Sequence, residues 1–272
     1  MRISDSWKDY ELIDCSSGER LERWGEITLI RPDPQVIWQT KRAHPLWRKA
    51  NARYLRSSSG GGRWEVYGGL PDVWQISYHT LRFNIKTMGF KHTGLFPEQA
   101  VNWNLVRHVI RSAGRPGAEV VHVDASKGMV AWAKENASAS GLAGRSVRWI
   151  VDDCVKFVER EIRRGHRYDI IIMDPPSYGR GPSGEIWKLE DKIYSFVELC
   201  TGVLSEDALM VLVNSYTTGL SPAVMQYILG AVVNPRFGGE VSSDEIGLPA
   251  SASQMALPCG ATAIWRGPAC RE

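Results

Sequence analysis

The 272-residue chain lacks any long apolar run; stretches such as Ile170-Ile-Ile-Met173 end at charged residues, here Asp169 and Asp174. A helix that crosses a bilayer needs roughly 20 consecutive apolar residues, so no membrane-spanning segment is expected. The start, Met1-Arg-Ile-Ser-Asp-Ser-Trp7, has no apolar stretch of the kind that directs export, and the 5 cysteines, at 15, 154, 200, 259 and 270, are odd in number and scattered. Neither secretion nor a disulfide framework is expected, and the setting is read as reducing and cytoplasmic. No Cys/His pair has zinc spacing, so no metal is expected. No Gly-x-Gly-x-x-Gly joins a strand to a helix, which argues against a nicotinamide-dependent dehydrogenase. What is present is ordinary globular usage, 43% hydrophobic and 23% charged, without an internal repeat. That length holds one large α/β domain, or a core domain with a smaller appendage.

The net charge of +3 is unevenly spread. Residues 1–96 carry 15 Lys and Arg against 10 Asp and Glu, whereas residues 97–272 carry 18 against 20. From Lys41 to Arg63, the cations Lys41, Arg42, Arg48, Lys49, Arg53, Arg56 and Arg63 occur with no acid among them, interleaved with Trp47 and Tyr54 and followed by Trp64. That mix suits phosphates and stacked bases. A solvated basic surface whose tryptophans plug a small core accounts for the same residues equally well.

Composition changes near residue 96. Before it, short β-like runs (Glu26–Ile30, Trp64–Tyr67, Val73–Tyr78, Leu81–Ile85) alternate with turn clusters such as Ser57–Gly62 and Gly68-Gly69, which predicts a small β-rich domain over 1–96. After it, over 97–272, helix and strand alternate. Pro97 opens an amphipathic helix that Gly114 ends. Strands are expected at Glu119–Val123, Val147–Val151, Tyr168–Met173 and Ala208–Val213, with helices opening near Ser126, Val155, Lys192 and Ser221. Nearly continuous apolar strands alternating with helices mean a mostly parallel sheet covered on both faces. Two last β-like stretches, Gly239–Ser243 and Ala261–Trp265, have no helix between them and are expected to pair antiparallel at its edge.

Ligands bind beyond the carboxyl ends of such strands. There the sequence places Asp124, then Asp152-Asp153, then Asp174-Pro175-Pro176-Ser177-Tyr178, then Asn214-Ser215-Tyr216. An acid directly after a strand can accept both hydroxyls of a ribose, and Asp153 with Cys154 can meet an adenine edge; each acid can equally be a helix cap. Two prolines fix the backbone after a strand and hold carbonyls toward the rim as hydrogen-bond acceptors, while Tyr178 offers a stacking face for a base taken out of its stack.

With these residues assembled, the chain resembles a class I S-adenosylmethionine-dependent methyltransferase and is similar to the bacterial group of ribosomal-RNA large-subunit methyltransferases. The resemblance rests on Lys91–Gln99, Val121–Ser126, Trp149–Asp153, Asp174–Gly181, Asn214–Gly219 and Leu257–Thr262. It implies a Rossmann-like doubly wound methyltransferase sheet, S-adenosyl-L-methionine as cofactor and RNA as partner. By the same resemblance Asp124 and its neighbour Ala125 would hold the ribose, Asp153 and Cys154 the adenine, and Asp174, Pro175, Pro176 and Tyr178 the methyl acceptor, with Phe96 and Gln99 near the cofactor. One departure stands out: the strand and glycine-rich turn that cradle the cofactor's methionine end in the family have no counterpart between Ser112 and Glu119, as if missing between Pro116 and Gly117. That gap is the best argument for the alternative, a noncatalytic RNA-binding protein on a degenerate fold. Relatives that methylate cytosine C5 carry a nucleophilic cysteine where this chain has Asn214, so a cysteine-free transfer, as to a nitrogen, is expected.

Overall fold

The computed structural model describes residues 1–57, 61–115, 118–180 and 184–270. Pro116, Gly117 and Gly181 lie outside them, as does part of the Ser57–Gly62 cluster. A two-residue strand, β1 (Arg2–Ile3), precedes a five-stranded sheet of β2 (Tyr10–Ser16), β3 (Glu19–Trp24), β4 (Ile27–Pro32), β5 (Ala52–Arg56) and β6 (Gly62–Val66), ordered as numbered. Ser17 and Gly18, both at positive φ (51° and 79°), turn β2 into β3, the backbone that a tight two-residue hairpin requires. A separate hairpin, β7 (Trp74–Tyr78) and β8 (Leu81–Ile85), follows. Inside this module Glu22 is buried, yet Arg31 grips it through two bonds of 2.6 and 2.7 Å and Tyr10 donates a third. A buried carboxylate persists only with such partners.

A single turn of 3₁₀ helix, Pro97–Gln99, leads into α1 (Ala100–Ser112). Then come β9 (Val120–Asp124), α2 (Lys127–Ala139), β10 (Val147–Val151), α3 (Cys154–Arg164), β11 (Ile170–Met173), the small hairpin β12 (Tyr178–Arg180) and β13 (Ile186–Lys188), and α4 (Leu189–Thr201). The chain continues through β14 (Met210–Ser215), α5 (Pro222–Val232), α6 (Asn234–Phe237), β15 (Glu240–Pro249) and β16 (Ala256–Arg266). Ser126, Asp153 and Ser221 cap α2, α3 and α5 through their side chains, the function of a short polar side chain at a helix start.

The principal sheet runs β1-β15-β16-β14-β11. Strand β11 pairs parallel with β14, and β16 runs antiparallel to both β14 and β15. The long β15–β16 ribbon extends well beyond its expected span, and its far end packs into the N-terminal module: Leu248, Ala250 and Leu257 share a core with Leu12, Trp24 and Ile76. The core of the N-terminal module thus takes in residues of the ribbon from beyond residue 96.

Strands β9 and β10 pair parallel with each other and form a separate sheet. Among the described residues no strand lies between β9 and β11, so each has an unpaired edge. Val121 and Val123 of β9 pack with Met173 and Ile171 of β11 against the cluster under α3, α4 and α5. The alternate residues are open, with Ile172 56% and Val120 47% exposed, where a parallel sheet is normally covered on both faces. The departure noted in the sequence therefore has a structural counterpart: one face of the sheet between α1 and α2 is bare.

Candidate functional site

All the acids singled out from the sequence stand at the carboxyl ends of parallel strands. Asp124 is the last residue of β9, and its Oδ1 accepts from the Ser126 amide at 2.6 Å. Asp153 follows β10 and accepts from the Lys156 amide at 3.0 Å, capping α3. In each carboxylate the second oxygen has no partner among the described residues. Ala125 is exposed beside Asp124. Cys154 opens α3 with its sulfur 3.8 Å from the Val123 carbonyl, and burial pushes its thiol up.

Asp174 follows β11 directly, exposed at the rim but with protein crowding its carboxyl and raising its pKa; the Asn214 amide, donating at 3.1 Å, opposes that rise. Of the expected carbonyl array, part is spent within the protein: Pro176 O accepts from the Trp187 indole at 2.8 Å and Ser177 O from the Leu189 amide at 3.1 Å. The Asp174 and Pro175 carbonyls have no described partner and remain for a ligand. Tyr178, 50% exposed, sits on β12 with its hydroxyl accepting from Arg180. A bond of 2.7 Å between Thr217 and Ser177 ties this loop to the one after β14.

Phe96 and Gln99 flank the same rim from the segment before α1. Phe96 packs on Tyr216 with ring centroids 5.4 Å apart, and Gln99 donates to the Tyr216 hydroxyl at 2.9 Å. Gly94, at φ +94°, presses so closely on the Trp132 ring of α2 that any side chain would overlap it; this fixes the Phe96 segment against the β9 unit. Glu98 is buried and burial raises its carboxyl, while Arg20 opposes. The sequence reading missed Asn102 and Thr262, which are 2% and 0% exposed and hydrogen-bonded to each other. A polar residue on an otherwise apolar helix face was the only signal of Asn102.

Cys154, Cys200 and Cys259 all have thiols raised by burial, Cys200 to about 12. Low thiolate content argues against any of them as a nucleophile.

The basic segment is only partly free. Arg42 and Arg53 both clamp Glu19, at 2.8 and 2.7 Å, and Arg42 lies over the Trp47 ring. Trp47 and Trp64 spend their indole N–H groups on Asp14 and the Met88 carbonyl. Lys41, Arg48 and Lys49 form no ion pair among the described residues.

No family model matches the chain. A solved structure described as the SAM Dependent Methyltransferase from Agrobacterium tumefaciens superposes with TM-score 0.91 at 32% identity, over 97% of this chain and 92% of that one. A putative SAM-dependent methyltransferase from Streptococcus mutans shares the fold, at TM-score 0.70 and 14% identity, over 96% of this chain and 76% of that one. Among curated proteins, Ribosomal RNA large subunit methyltransferase K/L of Shewanella sp. strain MR-4 is 28% identical over 115 residues, 36% of this chain, and its Shewanella baltica counterpart 29% identical over 114. The matched part covers 16% of those relatives' length.

Proposed function

The chain belongs to the S-adenosylmethionine-dependent methyltransferases, and on that premise we propose that it methylates RNA, with ribosomal RNA as the favoured class and transfer proceeding without a cysteine nucleophile. Its cofactor is S-adenosyl-L-methionine, which supplies a methyl group activated on a sulfonium sulfur. The free carboxylate oxygens of Asp124 and Asp153 fit the cofactor's adenosine half, because ribose hydroxyls and an exocyclic amine are donors and a carboxylate only accepts. Asp124 with Ala125 would hold the ribose, and Asp153 with Cys154 the adenine. Phe96 and Gln99 would close the site from the α1 side.

The observation that carries the reading is the adjacency of Asp174 and Asn214 at the ends of neighbouring parallel strands, beside a proline-locked loop. Asp174 and the Pro175 carbonyl accept from an amine on the acceptor base, Tyr178 stacks on it, and the loop aligns it. Alignment and exclusion of water supply a large part of the barrier reduction in such transfers, and the Asp174 carboxylate can take up a proton the acceptor releases. RNA rather than a small molecule is supported by Lys41, Arg48 and Lys49, which are free to meet phosphates, and by the names of the curated relatives. Among the described residues no helix is long and apolar enough to cross a membrane; a cytoplasmic site of action is part of the proposal.

The test is transfer of labelled methyl from cofactor to total cellular RNA and protein by wild type and Asp174→Ala. The reading expects label in RNA and at least a hundredfold loss on substitution, as misalignment of a reacting group costs about that much. Label entering protein alone would discard it.

A further inference from the structure

Asp174 does not stand alone at the rim. A continuous chain of side-chain hydrogen bonds runs from it into the interior and ends on a cation. The Asn214 amide nitrogen donates to Asp174 Oδ1 at 3.1 Å; Asn214 Oδ1 accepts from the Thr262 hydroxyl at 2.7 Å; the same hydroxyl accepts from Asn102 Nδ2 at 3.2 Å; and Asn102 Oδ1 accepts from Arg2 Nη2 at 2.7 Å. Asn102 Nδ2 also donates to Gln99 Oε1 at 2.8 Å, and Gln99 passes a hydrogen on to Tyr216. Asn214, Thr262 and Asn102 are all buried, at 2% exposure or less. Thr262 and Asn214 face each other directly across the β14–β16 pair.

The direction of every bond in this chain is determined, although amides and hydroxyls are individually ambiguous. A guanidinium can only donate, so Arg2 forces Asn102 to present Oδ1 to it. Asn102 must then turn Nδ2 inward, where Thr262 and Gln99 can only accept. The hydroxyl of Thr262 carries one hydrogen, which is left for Asn214 Oδ1. Asn214 is obliged to point its NH₂ at Asp174. Turning any one amide over would set two donors or two acceptors face to face in a buried site, at a cost of about 1–3 kcal/mol for the unpaired groups.

We propose that Arg2, Asn102 and Thr262 are positioning residues that act through Asn214 to hold Asp174 as a hydrogen-bond acceptor oriented toward the methyl acceptor. The inference rests on the reading of Asp174 given above. The same chain links Asp174 to Gln99 and Tyr216 at the opposite wall of the site, so one network orients both walls. The ionisable groups about it are Glu98 and Tyr216, whose phenol is raised by burial and then by the charges of Glu98 and Asp174, Cys259 beside that phenol, and Asp244 and Arg266 near Arg2.

The decisive comparison is Thr262→Val, which keeps the shape and loses the hydroxyl, against Thr262→Ser, which keeps the hydroxyl. Asp174 titration is followed by carbon-13 NMR of its carboxyl, alongside the initial rate of labelled methyl transfer to total RNA and calorimetric binding of S-adenosylhomocysteine. In the valine variant Asn214 is free to turn its oxygen toward Asp174, so the Asp174 midpoint should rise by about one pH unit. The rate should fall by about thirtyfold or more, with S-adenosylhomocysteine binding within about twofold of wild type. The serine variant should restore both quantities. Arg2→Lys against Arg2→Gln repeats the comparison away from the core: lysine only donates, whereas glutamine can present either end. A folded Thr262→Val with unchanged Asp174 midpoint and rate would overturn the proposal. If Asp174→Ala left transfer intact while Thr262→Val still moved the Asp174 midpoint, the network would stand and the catalytic reading of Asp174 would fall.

Discussion

Asp124 and Asp153 occupy equivalent places after successive strands and do different work within the chain. Asp153 is a helix cap, so Asp153→Ala should cost about 1 kcal/mol of stability, read as a lowered urea midpoint. Asp124 holds only the turn that follows it, leaving its other oxygen to a ligand. Asp124→Ala should weaken calorimetric binding of S-adenosylhomocysteine by about tenfold or more, since losing a charge-assisted acceptor costs about 1.5–3 kcal/mol; a change within twofold would remove it from the ribose. Glu161 belongs to a structural cluster instead. It is 0% exposed and accepts from Tyr168, His166 and Arg164 at 2.6, 2.7 and 3.0 Å. These donors hold its carboxyl down at about 2 despite burial, against 4.5 for the free group. A carboxyl depressed on folding stabilises above its unfolded value and stops doing so as pH falls through its folded value. Unfolding free energy should therefore drop between about pH 4.5 and 2, and Glu161→Gln should flatten that drop in urea titrations.

At the scale of elements the bare face between α1 and α2 dominates. Strand β14, flanked by β11 and β16, is buried at every position, whereas β9 and β11 each keep one open edge. Amide hydrogen exchange should accordingly be slowest in β14 and β16 and fast along the facing edges of β9 and β11, because exchange follows local opening. Substitutions should divide in the same way. Leu212→Ala, at 1% exposure, should cost about 2–5 kcal/mol. Ile172→Ala, on an equally apolar strand, should stay within about 1 kcal/mol in the same denaturation assay, because water already reaches that side chain.

For the molecule as a whole, the seven cations from Lys41 to Arg63 divide by ion pairing: among the described residues Arg42 and Arg53 are paired, and Lys41, Arg48, Lys49, Arg56 and Arg63 are not. Arg42 and Arg53 stabilise the module through Glu19, and their removal should lower stability. Lys41, Arg48 and Lys49 should act on RNA instead. Replacing these three with glutamine should flatten the slope of log affinity against log salt by about 2, at about 0.7 per phosphate contact on a single strand; an unchanged slope would leave them as surface charge. The β15–β16 ribbon joins that module to the sheet holding Asp174 and Asn214: its far end packs in the module's core, while β16 pairs with β14.

The alternation of apolar strands with capped helices after residue 96 was legible in the residues themselves, because β11 and β14 are short continuous apolar runs and Ser126 and Ser221 are strong cap residues. So were the rim acids, since an acid directly after such a strand has few other places to lie. The strands β2 and β3 escaped notice because their buried polar residues, Asp14, Arg20 and Glu22 among them, break the alternation of apolar and polar positions; only folding supplies the partners that let a charge sit inside. The roles of Asn102 and Thr262 were hidden for the same reason. Arg2, Asn102, Thr262, Asn214 and Asp174 are spread over most of the chain, and the direction of a hydrogen bond depends on which donor faces which acceptor. Local composition determined where the ends of the strands would be; which side chains meet there, and which way their hydrogens point, was decided by tertiary structure alone.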